Sequence, residues 1–524
     1  MDRNKIILFL NTIKFLKFKQ LYFRIFYWFK KFFFKFQVQN NSRVEIANLK
    51  WKNTIHYDKT YFKEKNFTFL NILKKFDHKI DWNYKINGLL WCYNLNYFEY
   101  LNQKNLSYNE GISLIQSYVE NDSIINIGKE SYPISLRGIN WIKFLLTHEI
   151  NDFKINKTLF NHYRILFRNI EYHLLGNHIL ENGFSLFFAG YFFKNQNFLD
   201  KSKKILIKEL NEQILNDGSH FELSTMYHQI ILFRILDCIS FLKINKIDNK
   251  FFSSLFRNKA ELMLSFLKTI SYKCETIPLL NDSCKGIAPN SNELFKYAKS
   301  LNLNWSTINL NESGYRKWAF DNFEIIMDVG KIGPDYIPGH AHADTFSFEL
   351  YFKKEPVLID LGVSTYENNI TRINERSTKF HNTISVDNIN SSEVWSSFRV
   401  ADRAKVKAIL ETPDIIKFSH NGYRKLGLIH TRMFSKTKNI FKIKDHIDFK
   451  KIKNLYSNLH FHPDIKPIIK DDYIFISGLK IKMIGYLNPK LIEYNYPLGF
   501  NKYKRATKLI SLVDSSSSLE FLNK

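Results

Sequence analysis

The sequence predicts two domains in series: paired antiparallel helices in a ring or bundle, then an antiparallel β-sandwich. Three observations predict it. The chain has 524 residues, 45% of them hydrophobic, too long for one ordinary core and rich enough for two. From about residue 86 to 300 apolar residues recur at helical spacing. After about residue 305 the pattern turns into short β-rich runs separated by turn residues.

Residues 1–85 read as a basic, aromatic arm with lead-in helices. Lysines interrupt the apolar run of "KIILFLNTIKFLKFKQLYFRIFYWFKKFFFKF", and no small-residue cleavage site follows, so it is not a clean signal peptide. No charge-free stretch there reaches about 18 residues, so it is not a membrane span. Such a segment either lies in a membrane interface or packs on its own domain. In 86–305 the helical runs are "GINWIKFLLTHEI", "KTLFNHYRILFRNIEYHLL", "FLDKSKKILIKELNEQIL", "MYHQIILFRILDCISFL" and "NKAELMLSFLKTI". "NDGS" at 216–219 and "NDS" at 281–283 mark turns between them. In 306–524 the strand-like runs are "FEIIMDVG", "TFSFELYF", "PVLIDLG", "HNTISVD", "AKVKAILE", "IIKFSH", "NIFKIKDHIDF" and "YIFISGLKIKMIGYL". This is sandwich spacing. There is no Gly/Ser linker, only a short polar run, "DSSSS", near the end.

The formal charge is +26, from 76 basic and 50 acidic residues. That excess attracts polyanions, such as acidic polysaccharide, nucleic acid or an anionic membrane surface. Lysine is spread along the whole chain, which also fits a merely solvated surface. No recognised nucleic-acid motif accompanies the charge, so a nucleic-acid partner is not expected. The four cysteines form no CxxC pair, which excludes a zinc knuckle and a dense disulfide scaffold. Cys274 and Cys284 either bridge or remain thiols.

The stretch "PGHAHADTFSFELYF", 338–352, sets His340 and His342 on one side of an extended segment at the mouth of a strand. Asp344 reads as a turn-side hydrogen-bond acceptor. Asp360 closes the next strand and His381 heads another. His342, Asp360 and His381 make a nitrogen/oxygen set suited to zinc if the sandwich brings them together. In the helical half, "GNHILENG" places Asn177 and His178 at the start of a helix, where Asn177 could act as a cap. "DGSHFELSTMYH" offers His220, Glu222, Tyr227 and His228.

The words "NHILENGFSLFFAGYFF", "DGSHFELSTMYH", "PLLNDS", "GHAHADTFSFEL", "LIDLGVSTY" and "RSTKFHNTISVD" resemble the heparinase II/III family of polysaccharide lyases. "YNLNYFEYL", "SYPISLRGINWIKFL" and "SSEVWSSFRV" extend the resemblance from about residue 85 onward. It implies an N-terminal (α/α) toroid and a C-terminal antiparallel β-sandwich. It also implies β-elimination on a uronate polysaccharide, an acidic glycan partner, and an envelope glycan in particular. That reaction needs a neutralised carboxylate, a base for the C5 proton and an acid for O4. By resemblance, Asn177 or His178 neutralises the carboxylate, and Tyr227 and His340 are the catalytic tyrosine and histidine. A phenol titrates near 10, so Tyr227 as a base calls for cationic neighbours, with His228, Arg137 and His340 as candidates. Glu222, Arg137 and Arg376 are the substrate-binding candidates. His342, Asp360 and His381 resemble the ligands of a structural zinc that holds the strand ends presenting His340. The resemblance places the protein in the periplasm or envelope, and the missing clear signal peptide points to the cytoplasm. Two other readings are a glycoside hydrolase on the same toroid and a non-catalytic glycan-binding protein of the envelope.

Overall fold

The computed structural model describes residues 3–33, 44–448 and 454–523. The last residues of the N-terminal aromatic stretch, 34–36, lie outside them. Two helices open the chain, α1 (Arg3–Ile13) and α2 (Phe18–Phe33), followed by a small three-stranded sheet over residues 61–75. Then come α3 (Leu89–Tyr97), α4 (Tyr108–Asn121), α5 (Ser131–Thr147) and α6 (Phe153–Arg168). The set continues with α7 (Gly176–Phe192), α8 (Gln196–Gln213), α9 (Thr225–Ile244), α10 (Lys250–Ile270) and α11 (Ser291–Ser300).

These helices form two layers of a toroid, and the sequence shows why. In α5 and α7, 15 of 17 residues are buried, and in α9, 15 of 20. Such helices are apolar nearly all round and belong inside. In α6 and α8 only 6 of 16 and 7 of 18 are buried, on one face each. Accordingly α3, α5, α7 and α9 contact one another in sequence as the inner layer, while α4 packs beside α6 and α8 beside α10 outside. Among the described residues one helix, α9, is long and apolar enough to cross a membrane, but 83% of its apolar window is buried in the core.

The helical spacing of "KTLFNHYRILFRNIEYHLL" overruns the real helix. α6 ends at Arg168, where the Asn169 side chain donates back to the Ile165 carbonyl at 2.8 Å. Residues 169–175 instead form the turn that delivers Asn177. Leu175 and Gly176 both sit at positive φ, 68° and 61°. A Cβ on Gly176 would lie 2.5 Å from Glu222 Oε1, so the close approach of α7 to Glu222 requires glycine.

The C-terminal half is an antiparallel β-sandwich. One sheet is the meander Tyr315–Phe320, Phe323–Asp328, Phe348–Phe352, Glu355–Leu358. The facing sheet runs Val406–Glu411, Ile415–His420, Ile429–Thr437, Ile440–Asp448, Lys502–Asn523, Leu479–Gly499, Tyr473–Ile476, Ile468–Lys470. Leu455–His460 pairs with Lys502–Asn523 and with Ile384–Val386. Between the sheets lies a core that includes Phe323, Phe348, Phe434, Phe441 and Phe521. The "DSSSS" run is not a loop; it lies in the last long strand. Between Asp360 and His381 stands a short helix, α12 (Ile370–Glu375).

A separate apolar cluster joins the two halves: Leu223, Phe266, Tyr272 and Leu280 meet Tyr315, Tyr351, Ile359 and Leu361. Tyr272 stacks on Tyr351 at 3.7 Å and donates to Glu349 at 2.9 Å. This contact sets the toroid's edge against the sandwich loops. All four cysteines are free, so Cys274 and Cys284 form no bridge.

Candidate active site and metal pocket

Tyr227 sits in the first turn of α9, where its own N–H donates to the capping Ser224 hydroxyl. His340 arrives from the sandwich on an irregular loop before Phe348. The two rings are in contact, with centroids 4.0 Å apart. Tyr227 Oη lies 3.1 Å from Tyr366 Oη, a residue of the loop after Asp360.

Around them runs a chain of polar contacts. Asn177 gives Glu222 its backbone N–H at 2.8 Å and both its amide contacts, at 3.2 and 3.0 Å. It is thus a partner of Glu222 and not a cap. Glu222 Oε2 lies 3.4 Å from His340 Nε2. On the other side of the ring, His340 Nδ1 lies 2.9 Å from Asp282 Oδ2. Asp282 Oδ1 meets His342 Nε2 at 2.8 Å, and Arg372 grips both Asp282 oxygens with its two terminal nitrogens. Burial works against that charge, but Arg372, His340 and His342 hold the Asp282 carboxyl well below the usual range. The loop carrying Tyr366 is seated here by Gly362, at φ 61°, where a Cβ would lie 2.0 Å from the Ser283 carbonyl.

His178 stands apart from Asn177. Its ring packs on Tyr132 at 4.5 Å and Nδ1 lies 3.3 Å from Glu171. Burial pulls its pKa down, but Glu171 and more distant carboxylates outweigh it, and the net shift is upward. Its side chain is 35% exposed, against 12% for His340 and 1% for Glu222. Tyr227 is raised too, but here burial is the main cause. Burial raises its phenol, with Asp282 and Glu222 adding to the rise and Tyr366 and Arg372 opposing it, so it is held protonated.

Two expected substrate contacts are elsewhere. Arg137 is fully buried in α5, donating to the carbonyls of Asn96 and Gly128 at 3.2 and 2.9 Å. It packs over the Tyr118 ring at 4.8 Å. Arg376 is also fully buried. It donates to the carbonyl of Ala341, between His340 and His342, and to those of Ser396 and Arg399. Among the described residues it makes no salt bridge, and it fixes the backbone between the two histidines. Nor is His228 a cation beside Tyr227. Burial pulls it down to about 3, and Nε2 lies 3.0 Å from the Met263 carbonyl.

His342, Asp360 and His381 are all fully buried, and one ligand atom from each lies within 4.8 Å of the others. His381 Nδ1 is 2.8 Å from Asp360 Oδ2. His342 Nδ1 and His381 Nε2 are buried without a hydrogen-bond partner among the described residues. Unpaired buried polar atoms are costly, and a metal ion is a natural partner for imidazole nitrogens. Acidic groups crowd the same place. Burial and Asp360 push Asp328 and Glu349 up to about 7. Asp344 is raised well above the usual range by burial, Asp328 and Asp360. It accepts at a turn through its backbone carbonyl, from Ser347 N, while carboxylate Oδ2 has no hydrogen-bond partner among the described residues. A divalent cation would offset this negative charge, so the donor set fits one.

Asp282, Tyr366 and Arg372 were not singled out from the sequence. Asp282 stands in "PLLNDS", which by local chemistry reads as a turn, and Tyr366 ends "LIDLGVSTY". Those words carried the resemblance, and they were the signal available.

A family model described as heparinase II/III N-terminus matches residues 137–304, and one described as heparinase II/III-like, C-terminal matches 303–483. A curated relative, a heparin-sulfate lyase of Bacteroides stercoris, is 24% identical over 252 residues. The match spans 43% of this chain and 38% of that protein. Among solved structures, a heparinase III aligns with a TM-score of 0.63 at 17% identity, covering 86% of this chain and 80% of its own. The heparan sulfate lyase HepC of Pedobacter heparinus aligns at 0.55 and 15%, covering 88% and 82%. At these identities the structural likeness establishes the fold, toroid plus sandwich.

Proposed function

The chain belongs to the heparinase II/III family, and on that premise we propose that it is a lyase that cleaves an acidic, uronate-bearing polysaccharide by β-elimination. The observation that carries the reading is the ring contact of Tyr227 and His340 across the two domains, at 4.0 Å. His178, open and with its pKa raised, neutralises the uronate carboxylate, while Asn177 is occupied with Glu222. Asp282 on Nδ1 orients His340, leaving Nε2 to take the C5 proton. Tyr227, held protonated, gives its proton to O4 as the C4–O4 bond breaks. The electrons of the C5–H bond become the C4=C5 double bond. Glu222 orients Asn177.

The same reading assigns zinc to His342, Asp360 and His381. When bound, the ion supplies a fixed positive charge that ties together the strand ends. Asp282, shared by His342 and His340, links that pocket to the catalytic imidazole.

Hydrolysis usually wants two carboxylic acids flanking the bond. Here Asp282 is fully buried and committed to Arg372 and two histidines, and Glu222 is committed to Asn177.

Incubation with uronate glycans, heparan sulfate first because the aligned HepC structure is named a heparan sulfate lyase, should raise ultraviolet absorbance from the unsaturated product. Tyr227→Phe and His340→Ala should each abolish that signal. Glycan cleavage without new absorbance would establish hydrolysis, and binding without cleavage would establish the non-catalytic reading.

A further inference from the structure

From Arg3 to Phe33 the chain holds eight Lys and Arg and no Asp or Glu. The helices α1 and α2 that it forms are anchored to the body by polar contacts. In α2, Gln20 Nε2 donates to the carbonyls of Leu174 and Tyr336, and Tyr27 Oη to that of Ile170 at 2.6 Å. Between the helices Arg403 lies over the Phe15 ring at 3.7 Å, and Trp395 donates to Thr12.

The opposite face of α2 is apolar and open. Phe18, Tyr22 and Ile25 follow one another at i, i+4 and i+7, so they share one side of the helix. They are 81%, 51% and 58% exposed. In α1, Ile6, Ile7 and Leu10 are 42%, 47% and 59% exposed. A helix of 11 residues, with most of its side chains in water, has little intrinsic stability. Something must cover these faces, and charge selects what. A second copy would bring one cationic, acid-free arm against another. An anionic surface would attract it.

We propose that α1 and α2 form an in-plane docking face for an anionic lipid bilayer. Their lengths, about 16 and 24 Å at 1.5 Å per residue, are too short to span a hydrocarbon core of about 30 Å. They lie in the interface, aromatic and aliphatic side chains inward and lysines toward headgroups. The arm also touches both chain segments that lead into the cleft, the 169–175 turn before Asn177 and Tyr336 ahead of His340. Docking therefore holds the cleft near the membrane, where a surface-attached glycan would be found. The proposal is independent of the elimination chemistry.

Flotation of the full-length protein with vesicles tests it. Binding should be strong to phosphatidylcholine mixed with phosphatidylglycerol, weak to phosphatidylcholine alone, and reduced by salt. The double variant Phe18→Asp/Ile25→Asp should lose binding at least tenfold, with an unchanged melting temperature and unchanged glycan cleavage. Should that variant melt early, Lys5→Glu/Lys14→Glu, at exposed positions, provides the second test and should also lose binding. Three results would overturn the proposal: no binding to the anionic vesicles, wild-type binding by the variants, or a lipid-free dimer that Phe18→Asp/Ile25→Asp makes monomeric.

Discussion

Replacing Asp282 by Asn changes one atom and should disturb two sites. The carboxylate accepts from Arg372 with both oxygens, from His340 at 2.9 Å and from His342 at 2.8 Å. Asn keeps one acceptor and points an NH₂ at groups that themselves donate. Arg372, fully buried, is left without its counter-charge. Breaking a buried pair this way costs about 3–5 kcal/mol. His340 also loses the partner that sets its tautomer, and the loss of a positioned base lowers rate by about 10²–10⁴-fold. The expected result is a large fall in kcat with KM little changed, because no substrate contact is removed. The melting temperature should drop in the same variant. Initial rates from product absorbance, thermal melts and metal content, measured on one preparation, separate the effects. A variant with wild-type kcat and an unchanged melt would show that Asp282 neither orients His340 nor balances Arg372.

Tyr227→Phe removes a hydroxyl whose partner is Tyr366, so stability should change by no more than about 1.5 kcal/mol while kcat falls about 10²–10⁴-fold; a wild-type rate would remove Tyr227 from the mechanism. Arg137→Met should lower the melting temperature, with about 1–3 kcal/mol for each carbonyl left unpaired, and leave KM unchanged; a raised KM would return Arg137 to the cleft. His342→Ala should lose bound zinc by elemental analysis, and chelation should lower the wild-type melt; full metal content in the variant would dismiss the pocket. Burial holds His162 and His220 down to about 4 and His228 to about 3, against about 6.5 unfolded. Below pH 6.5 the unfolded chain binds protons that the folded one does not, so stability rises with pH across that window and is lost as pH falls toward 4. Melts should hold nearly level from pH 7.5 to about 6.5 and decline from there to pH 5, and a flat profile down to pH 5 would contradict neutral buried histidines.

The two-domain plan was legible because periodicity is local. Helical spacing changes to short β-rich runs near residue 305, and burial in the inner and outer helices follows the same patterns. Boundaries were less legible. The end of α6 depends on one Asn169 hydrogen bond, and the apolar spacing continues beyond it. Among site residues, local chemistry put His342, Asp360 and His381 in one class, and the fold places them together. Arg137 and Arg376 misled because a guanidinium looks the same in sequence whether it faces a carboxylate or a ring of backbone carbonyls.

Sequence by itself determined which segments are helix or strand, which helix faces are apolar, and which words resemble a known family. Those follow from side-chain type and spacing along one segment. Tertiary structure alone decided that Asp282, read locally as part of a turn, joins two histidines of one loop and an arginine of α12. It alone separated His178 from Asn177 and gave each a different carboxylate. The physical reason is that protonation and hydrogen bonding depend on neighbours within a few ångströms, and here those neighbours lie up to 139 residues away along the chain.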